Sequence, residues 1–523
     1  MNLAHVLASE AHSRPKAPAI IDRCKRRERI TTFADLERRS HRIARLFVEN
    51  GLKPGDAVLV FYPMSAELYV CLLAIFRLGL VAMFLDPSAG REHIEHCCAL
   101  HRPKGFVGGT KAHLLRLFSR ALRQIPVKIV IGFPLPGTVR WSSADALFPW
   151  EDIRETSDDA PALLTFTSGS TGLPKAAVRT HGFLMAQHRA LAESLRLTRG
   201  DRDLATLPIV ALANLGSGVT TIIPDADLRF PGAVDPGPIL GQMREHQVIS
   251  SVASPAFFER LARHCHEHGI VLPKVKKLYT GGAPVFPRLL DQIQTMAPNA
   301  EVVALYGSTE AEPIAHVGRD EIAGVDLQAM LAGKGLLAGV PVDCIRLRIL
   351  RDQWGRPVGP FTQAAFEGQC CRPGEAGEIV VSGGHVLTGY LHGRGDEETK
   401  FAVECFVWHR TGDAGYLDDS GRLWLLGRCV ARIHDDRGEL YPFAAETAVY
   451  QDPRIKRAAV VAHEGRRVLA VEFYDGRRGD LDALRESLTW TRLDEVRVLK
   501  QVPVDKRHNA KVDYPALHRL LER

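Results

Sequence analysis

The 523-residue chain has few of the features that mark a secreted, disulfide-bonded or metal-stabilised protein. Its ten cysteines stand alone or as adjacent pairs, so no Cys-x-x-Cys spacing is available for zinc or redox chemistry. The N-terminus has no basic head followed by a long apolar core, which is the pattern of a signal peptide. We therefore expect free thiols and a cytoplasmic location.

Long hydrophobic runs and an excess of one charge are also missing. The most apolar region, Leu68 to Leu85, is interrupted by Arg77 and divides into a helix and a strand, so we expect it to lie in the core, with at most a peripheral membrane contact. The 67 basic and 61 acidic residues are spread along the chain, giving a net charge of +6 without a concentrated basic face. We expect no nucleic-acid partner.

The segment "HCHEH", His264 to His268, is the most metal-like cluster in the sequence. It lies at the end of a predicted amphipathic helix, and no second group of ligands elsewhere completes a site. The sequence favours a solvated helix end over a metal centre there.

What the sequence does contain is a repeated alternation of strands and helices. A helix is predicted within Thr31 to Asn50 and ends at Gly51; the apolar strand "GDAVLVFYP" and a helix over Ser65 to Arg77 follow. Further strands are predicted at "KGFVGG", "VKIVIG", "DLATLPIV", "VISSVAS", "KKLYTGG" and "AEVVALYGSTE", with helices over 256–264 and 288–296. This alternation predicts an α/β fold with parallel sheets covered by helices.

The chain length predicts two or three domains. After Gly339 the strands become shorter and Gly and Pro more frequent, which predicts a β-rich subdomain at about 339–427. The residues after Arg428 contain their own strands and helices. We therefore predict a large N-terminal domain at 1–427 and a small α+β C-terminal domain at 428–523.

The stretch "TFTSGSTGLPK", Thr165 to Lys175, follows a buried-strand pattern and has two possible interpretations, a surface turn or a cradle for phosphates. Backbone amides at its glycines can face an anion, its hydroxyls can donate hydrogen bonds, and Lys175 adds a positive charge. The spacing is not that of the Walker loop, which needs four residues between its glycines. The composition favours a triphosphate ligand.

This loop resembles the phosphate loop of the adenylate-forming superfamily of acyl-CoA synthetases, luciferases and peptide-synthetase adenylation domains. Four further motifs occur in the order expected of that superfamily: "GGAP" (281–284), "YGSTE" (306–310), "TGD" (411–413) and "GR" (427–428). The resemblance covers nearly the whole chain. It implies adenylation of a carboxylic acid with ATP and Mg²⁺, and a mobile C-terminal domain.

The resemblance also implies roles for individual residues. The ring of Tyr306 can stack on adenine, Thr309 can donate to a phosphate or carboxylate, and Glu310 can hold Mg²⁺. Asp413 can accept hydrogen bonds from the ribose hydroxyls, and Arg428 resembles the arginine that contacts nucleotide at the swivel between domains. The implied ATP- and AMP-binding residues are Thr167, Ser168, Gly169, Ser170, Thr171, Gly172, Lys175, Gly281, Gly282, Ala283, Tyr306, Thr309, Asp413 and Arg428.

Lys511 matches the place of the superfamily's catalytic lysine, before the short helix predicted in "VDYPALHRLLE". Its cation would offset charge on the carboxylate and α-phosphate as pyrophosphate leaves. Lys506 is the rival candidate, and a plain surface lysine is the third interpretation.

Two departures concern the acyl and coenzyme A sites. Val210 and Ala211 stand where fatty-acyl members often carry an aromatic residue and a histidine, which implies a roomier substrate pocket that also includes Asn214. Val430 occupies a hinge position that is commonly Asp or Lys, and "HDDRGELYP" is an altered form of the usual Gly-rich stretch. Coenzyme A use is therefore doubtful.

These departures, together with "SPAFFERLARHC", "YGSTEAEPIA" and "RHNAKVDYPAL", look like the β-lactone synthetases of bacterial long-chain olefin biosynthesis. That branch activates a 2-alkyl-3-hydroxy acid with ATP and closes the ring without coenzyme A, so a multienzyme olefin assembly is an implied partner. A long-chain fatty-acyl-CoA ligase and a non-catalytic AMP-binding scaffold are the alternatives. His181 and His316 are candidates for removing the hydroxyl proton.

Overall fold

The computed structural model describes residues 2–24, 27–85, 90–168, 174–474, 479–504 and 512–522. The chain forms two compact units. The first comprises residues 1–225, 238–251 and 387–396, and the second comprises residues 226–237, 252–386 and 397–523.

Helices and strands alternate over most of the described chain. The helices are α1 Ala4–Ser13, α2 Phe33–Glu49, α3 Ala66–Arg77, α4 Gly90–Leu100, α5 Thr110–Leu114, α6 Arg120–Gln124, α7 His181–Ser194, α8 Pro208–Gly216, α9 Pro236–Glu245, α10 Pro255–His268, α11 Pro287–Met296, α12 Gly324–Leu331, α13 Gln363–Gln369, α14 Asp396–Thr399, α15 Pro442–Val449, α16 Leu481–Ser487 and α17 Tyr514–Leu521. The strands are β1 Pro18–Cys24, β2 Arg27–Thr32, β3 Ala57–Phe61, β4 Val81–Phe84, β5 Gly105–Gly109, β6 Val127–Ile131, β7 Val139–Arg140, β8 Pro161–Ser168, β9 Pro174–Thr180, β10 Arg202–Ala205, β11 Thr220–Ile222, β12 Ser250–Ala253, β13 Lys277–Gly281, β14 Glu301–Ser308, β15 Ala311–Gly318, β16 Leu336–Pro341, β17 Ile345–Leu350, β18 Gly377–Gly383, β19 Lys400–Val403, β20 Phe406–Leu417, β21 Leu423–Arg428, β22 Ile433–Asp435, β23 Gly438–Leu440, β24 Ile455–His463, β25 Arg466–Phe473 and β26 Glu495–Val498.

Local signals place the first helices. The Thr32 hydroxyl accepts a hydrogen bond from the Asp35 amide at 3.1 Å and so caps α2, which ends just before Gly51 at φ +82°. In α3 every residue except Glu67 is buried, including Arg77, which forms an ion pair with Glu37. The apolar run around Arg77 is therefore core, as predicted. Within the described residues, every helix is too short or too polar to pass through a bilayer.

The first unit contains a seven-stranded sheet in the order β7-β6-β5-β3-β4-β8-β9. The strands from β7 to β8 run parallel, and β9 runs antiparallel to β8 at the edge. Leu59, Met83, Phe106 and Leu164 pack in the core on one face of this sheet. The predicted α/β class is confirmed, and β8 delivers the Gly- and Ser-rich stretch at its carboxyl end.

The predicted strand in "DLATLPIV" is too long. The strand β10 ends at Ala205, and the helix α8 begins at Pro208. Proline has no backbone N–H to donate to a sheet and its fixed φ suits the first position of a helix. The segment that contains Val210 and Ala211 is therefore helical.

The second unit contains a mixed sheet. The strands β13 and β14 are parallel, and the order β14-β15-β16-β21-β20-β18-β17 continues antiparallel. The short strand β19 pairs with β20. The strand-rich, helix-poor region predicted after Gly339 is present.

A smaller C-terminal domain closes the chain. Its sheet has the order β24-β25-β26, and Val460, Leu469, Val471 and Leu484 lie in its core. This agrees with the predicted α+β character of the C-terminal domain. The boundary near Gly427 stays a prediction.

Candidate functional site

The strands β13 and β14 end side by side and place two of the predicted motifs together. Gly281 pairs with Leu305 across these parallel strands. A Cβ at Gly281 would lie 2.7 Å from the Leu305 carbonyl oxygen, and Gly282 has φ +83°. The first position has no room for a side chain, and the second needs a backbone that other residues rarely adopt. The two glycines of "GGAP", which precede Ala283, are thus required by the backbone.

Tyr306, near the end of β14, is joined to Asp413 on β20. The Tyr306 hydroxyl donates to Asp413 Oδ2 at 2.7 Å. Burial raises the pKa of Tyr306 well above 10, and the nearby Asp413 carboxylate raises it further. The phenol therefore remains a proton donor at physiological pH.

Arg428 approaches the same carboxylate from the neighbouring strand. Asp413 and Arg428 are register partners across β20 and β21. Arg428 Nη1 donates to Asp413 Oδ1 at 2.7 Å and to the Thr411 carbonyl at 3.1 Å. The Asp413 charge raises the pKa of Arg428, whose side chain is 58% exposed. Each Asp413 oxygen holds one partner and keeps a second lone pair for another donor.

Thr411 fixes the turn that presents Asp413, and sequence reasoning missed this role. The Thr411 hydroxyl donates to the Ile379 carbonyl at 2.8 Å and accepts from the Asp413 amide at 3.0 Å. Gly412 has φ +69°, and a Cβ there would lie 2.8 Å from the Trp354 ring. Hydrogen bonds or lack of space thus constrain all three residues of "TGD". The presence of Thr411 in the motif was the signal that could have indicated its role.

A buried ion pair lies directly before this motif. Arg410 Nη2 donates to Glu378 Oε2 at 2.7 Å, and both side chains are fully buried. The Arg410 guanidinium lies 5.3 Å from the centroid of the Trp354 ring. Burial raises the pKa of Glu378 to about 7, although Arg410 opposes that rise. This pair anchors β20 to β18 behind the candidate site.

Thr309 and Glu310 follow β14. The Glu310 amide donates to the Ser308 hydroxyl at 3.3 Å. The charge of Glu310 acts on His409 and on Arg428, so its carboxylate lies near both. Carboxylate oxygen is the ligand type that Mg²⁺ prefers.

His409 lies near both Glu310 and Lys400, and the sequence analysis identified neither His409 nor Lys400. They are register partners across β19 and β20. Burial and the Lys400 charge lower the pKa of His409 to about 3. His409 Nδ1 donates to the Thr399 carbonyl at 3.1 Å, so the ring is a neutral, fixed spacer.

The predicted phosphate loop is only partly described. Thr167 and Ser168 are the last residues of β8, and Gly169, Ser170, Thr171 and Gly172 lie outside the described residues. Lys175 pairs with Thr167 at the start of β9. Its ammonium group lies 5.8 Å from the centroid of the Tyr390 ring.

Gly395 lies against this lysine. It has φ +97°, and a Cβ there would lie 2.5 Å from Lys175 Nζ. Tyr390 and Gly395 are distant from the loop in sequence, so the motif gave no signal for them. Together they position the lysine beside the end of β8.

The three predicted substrate-pocket residues lie on α8 and are buried. Val210 is 1% exposed, and Ala211 and Asn214 are fully buried. Asn214 Nδ2 donates to Asp203 Oδ2 at 2.9 Å, and the Ser250 hydroxyl donates to Asp203 Oδ1 at 2.7 Å. Asn214 therefore holds α8 to β10 in this structure.

The other face of α8 borders a cavity of about 10 Å³, which is mostly apolar and includes His188 in its lining. It is lined by Leu3, Leu7, Leu184, Leu191, Ile209 and Leu212. The sequence analysis did not predict that Ile209 and Leu212 line a cavity, because it predicted a strand that ends at Val210 and not a helix.

The hinge candidate Val430 is 75% exposed and lies in the short turn Cys429–Ala431. Arg432, two residues later, forms an ion pair with Asp352 at 3.0 Å.

Lys511 and its rival Lys506 lie outside the described residues. The helix predicted after Lys511 is present as α17, capped by an Asp513 side chain that accepts from the Ala516 amide at 3.0 Å.

The two candidate bases differ in accessibility. His181 is fully buried, its Nδ1 accepts from the Leu3 amide at 3.2 Å, and burial lowers its pKa to about 4. His316 lies on β15 opposite Leu305 and is partly exposed, although its Nδ1, like the Nε2 of His181, is buried without a hydrogen-bond partner in the described part of the chain. The burial of His181 argues against a role in proton transfer.

Comparison with known proteins identifies the family. Residues 7–391 match the family model described as AMP-binding enzyme. The chain belongs to the AMP-binding enzyme family. The enzyme is 31% identical over 503 residues to an olefin beta-lactone synthetase of Stenotrophomonas maltophilia, across 92% of this chain and 89% of that protein.

Coenzyme A ligases are also similar to this AMP-binding enzyme. A feruloyl-CoA synthase of an Amycolatopsis species is 28% identical over 488 residues, across 90% of this chain and 89% of its own. An amide bond synthetase of Marinactinospora thermotolerans has the same fold, with a TM-score of 0.81 at 20% identity across 99% of both chains. The enzyme is accordingly an adenylate-forming ligase, and its acyl substrate is a separate question.

Proposed function

We propose that this ligase adenylates a long-chain 2-alkyl-3-hydroxy acid with ATP and Mg²⁺ and closes the product to a β-lactone without coenzyme A. The observation that carries the proposal is the 31% identity to an olefin beta-lactone synthetase over 92% of the chain. The uncharged, exposed hinge residue Val430 supports it. From the resemblance of the chain's motifs to that branch of β-lactone synthetases, we also propose a multienzyme assembly of olefin biosynthesis as the partner.

In the first half-reaction, a carboxylate oxygen of the substrate attacks the α-phosphorus of ATP and pyrophosphate leaves. We assign adenine stacking to Tyr306 and the ribose hydroxyls to Asp413, whose oxygens each keep a free lone pair. Arg428 holds Asp413 in place through its 2.7 Å contact. Lys511 offsets the charge that develops between the carboxylate and the α-phosphate.

The triphosphate and its metal ion need a cradle of amides, hydroxyls and hard oxygen ligands. We assign the amides and hydroxyls to 167–172, the positive charge to Lys175 and the metal-binding carboxylate to Glu310. These groups suit their proposed ligands. The Glu310 carboxylate offers oxygen to the metal ion, and the Lys175 ammonium group, which lies against the Tyr390 ring, offers positive charge to the phosphates. Mg²⁺, when bound, neutralises phosphate charge.

In the second half-reaction, the substrate's own 3-hydroxyl attacks the activated carbonyl and AMP leaves. Forming a C–O bond within one bent molecule replaces an encounter between two molecules, which is a large kinetic advantage. The site must keep water from the acyl adenylate meanwhile. Of the two histidines considered for the hydroxyl proton, we favour His316, because it is partly exposed whereas His181 is fully buried.

A long-chain acyl-CoA ligase is the second candidate, favoured by the 28% identity to a feruloyl-CoA synthase. It would share the first half-reaction and use the coenzyme A thiol in place of the 3-hydroxyl. The two functions therefore differ in the second nucleophile only.

The test is to incubate the full chain with ATP, Mg²⁺ and a 2-alkyl-3-hydroxy acid, with and without coenzyme A, and to identify products by NMR. We expect β-lactone in both cases. Thioester that forms only with coenzyme A, with no lactone, would replace the first candidate by the second.

Paired lysine variants separate an enzyme from a non-catalytic scaffold. Lys511→Ala should reduce ATP–pyrophosphate exchange to background, while the matched control Lys506→Ala keeps it. Background exchange in the unmodified chain as well would mean that the protein binds nucleotide without catalysing adenylation.

A further inference from the structure

The last turn of α10 brings together three side chains that can bind a metal ion. One ligand atom each from His264, Glu267 and His268 lies within 4.8 Å of the other two. Residues three and four apart on a helix share one face, and the two imidazole rings stack with centroids 4.1 Å apart. We propose that these three side chains bind one divalent transition-metal ion, with Zn²⁺ as the representative.

A hydrogen bond prepares His268 to act as a ligand. Its Nδ1 lies 2.9 Å from the His264 carbonyl oxygen. A carbonyl oxygen can only accept, so Nδ1 carries the proton and the neutral ring keeps its Nε2 lone pair. Metal-binding histidines are commonly held in this way, with the second ring nitrogen donating to a carbonyl or carboxylate. The sequence alone could not show this contact.

The charges around the cluster favour a cation. The helix ends at His268, with Gly269 at φ +62° beyond it, and the carboxyl end of a helix carries partial negative charge. The neighbouring cation Arg263 is paired with Glu259 at 2.9 Å and lies over the Tyr474 ring. Across the residues that the structure describes, no cation is paired with the Glu267 carboxylate.

The ligand set selects the kind of metal. Two imidazole nitrogens and one carboxylate oxygen suit Zn²⁺, Co²⁺ or Ni²⁺, whereas Mg²⁺ and Ca²⁺ prefer oxygen ligands alone. Zinc–nitrogen bonds of about 2.0–2.1 Å bring tetrahedral ligands to roughly 3.3 Å from one another. Glu267 is exposed and His264 is partly exposed, so these two side chains can rotate toward the Nε2 of His268 while His268 keeps its hydrogen bond. Water completes the fourth position.

The test is calorimetric titration of the metal-stripped full chain with Zn²⁺. The ten cysteines can also bind zinc, so the informative quantity is the difference in bound Zn²⁺ between the variants and the unmodified chain. His264→Ala/His268→Ala should lose one equivalent of bound Zn²⁺. The matched control His266→Ala, on the same helix but outside the cluster, should bind as the unmodified chain does.

A milder variant keeps the test decisive if the double substitution disturbs folding. Loss of even an indirect metal partner costs about 10–100-fold in affinity, so Glu267→Gln should raise the Kd of that equivalent at least about tenfold. ATP–pyrophosphate exchange should stay unchanged in all these variants. Equal Zn²⁺ binding by the double variant and the unmodified chain would overturn the proposal, as would equal loss in His266→Ala. An unchanged Kd in Glu267→Gln would overturn the three-ligand assignment.

Discussion

Among the described residues, Asp413 is the one on which the proposed nucleotide site depends most. Its two carboxylate oxygens accept from the Tyr306 hydroxyl and from Arg428, both at 2.7 Å. Hydrogen bonds to charged groups contribute about 1.5–3 kcal/mol each, which is more than neutral ones do. The proposed ribose contacts would add to an acceptor that is already held in one orientation.

Asp413→Asn should therefore impair nucleotide use. The amide loses the negative charge and turns one acceptor into a donor facing Arg428 or Tyr306. We expect kcat/KM for ATP in pyrophosphate exchange to fall about 100-fold, which corresponds to about 3 kcal/mol. Tyr306→Phe, which keeps the ring and loses one hydrogen bond, is the graded control and should lose about tenfold. Unchanged ATP kinetics in Asp413→Asn would remove Asp413 from the nucleotide site.

Glu446, in the C-terminal domain, is a buried carboxyl with consequences for stability. It is 5% exposed, accepts from the Val460 amide at 3.0 Å and faces the Tyr514 hydroxyl at 3.4 Å. Burial raises the pKa of Glu446 from its ordinary 4.5 to about 7. Between these two pKa values the folded protein binds more protons than the unfolded chain does. The free energy of unfolding therefore falls as pH rises from about 4.5 to 7.

Glu446→Gln should remove this pH dependence, because the amide keeps the oxygen acceptor for Val460 and does not titrate. A pKa difference of this size corresponds to about 3 kcal/mol in the free energy of unfolding. The unmodified chain has this stability below pH 4.5 and loses it as pH rises past 7. The free energy of unfolding of the variant minus that of the unmodified chain should grow by about 3 kcal/mol between pH 4.5 and 7.5 in urea titrations. Glu378 titrates in both proteins and cancels. A constant difference across that range would show that folding does not shift the pKa of Glu446.

At the scale of elements, the strand β20 is held by its buried ion pair to β18. Removing one partner of such a pair leaves an uncompensated buried charge and costs about 3–5 kcal/mol, whereas replacing both by apolar residues is often neutral. Arg410→Met should therefore destabilise the chain by about 3 kcal/mol at pH 8, as measured by urea unfolding.

The double variant Arg410→Met/Glu378→Leu is the matched control, and it should be more stable than Arg410→Met alone. Because burial already raises the pKa of Glu378, the single variant should recover part of its stability below pH 6, where the lone carboxyl is protonated. Equal stability of the single and double variants at pH 8 would mean that the pair does not hold β20 to β18.

Elements with strong local signals were predictable from sequence. The helix α2 has a capping residue at Thr32 and a stop at Gly51, and β3 is a continuous apolar run bounded by turns. The helix α8 was not predicted, because the five apolar residues from Ile209 to Ala213 fit a strand or a buried helix equally well. Helix periodicity did give α10, yet it could not show that His268 turns back onto the His264 carbonyl.

The candidate site divides in the same way. Tyr306, Asp413 and Arg428 belong to motifs whose residue types state their chemistry, and the structure brings these three together. Lys400, His409 and Arg410 were missed because their roles arise from pairing between β18, β19 and β20. Such pairing depends on tertiary structure, which no short pattern encodes. Tyr390 was missed beside Lys175 for the same reason.

For the whole molecule, the family assignment and the fold establish an adenylate-forming ligase, and the second nucleophile separates the possible products. A hydroxyl within the substrate makes a lactone, and a coenzyme A thiol makes a thioester. The proposed ring closure specifies the fate of every oxygen atom in the acid, which makes it open to an isotope test.

The most direct measurement uses a 2-alkyl-3-hydroxy acid with both carboxylate oxygens replaced by ¹⁸O, incubated with ATP, Mg²⁺ and the full chain without coenzyme A. Adenylation followed by attack of the 3-hydroxyl predicts one ¹⁸O in the phosphate of AMP and one in the carbonyl of the lactone, with ¹⁶O in the ring. Mass spectrometry of both products reads this distribution. AMP without ¹⁸O, or a lactone that keeps both labels, would contradict ring closure through an acyl adenylate.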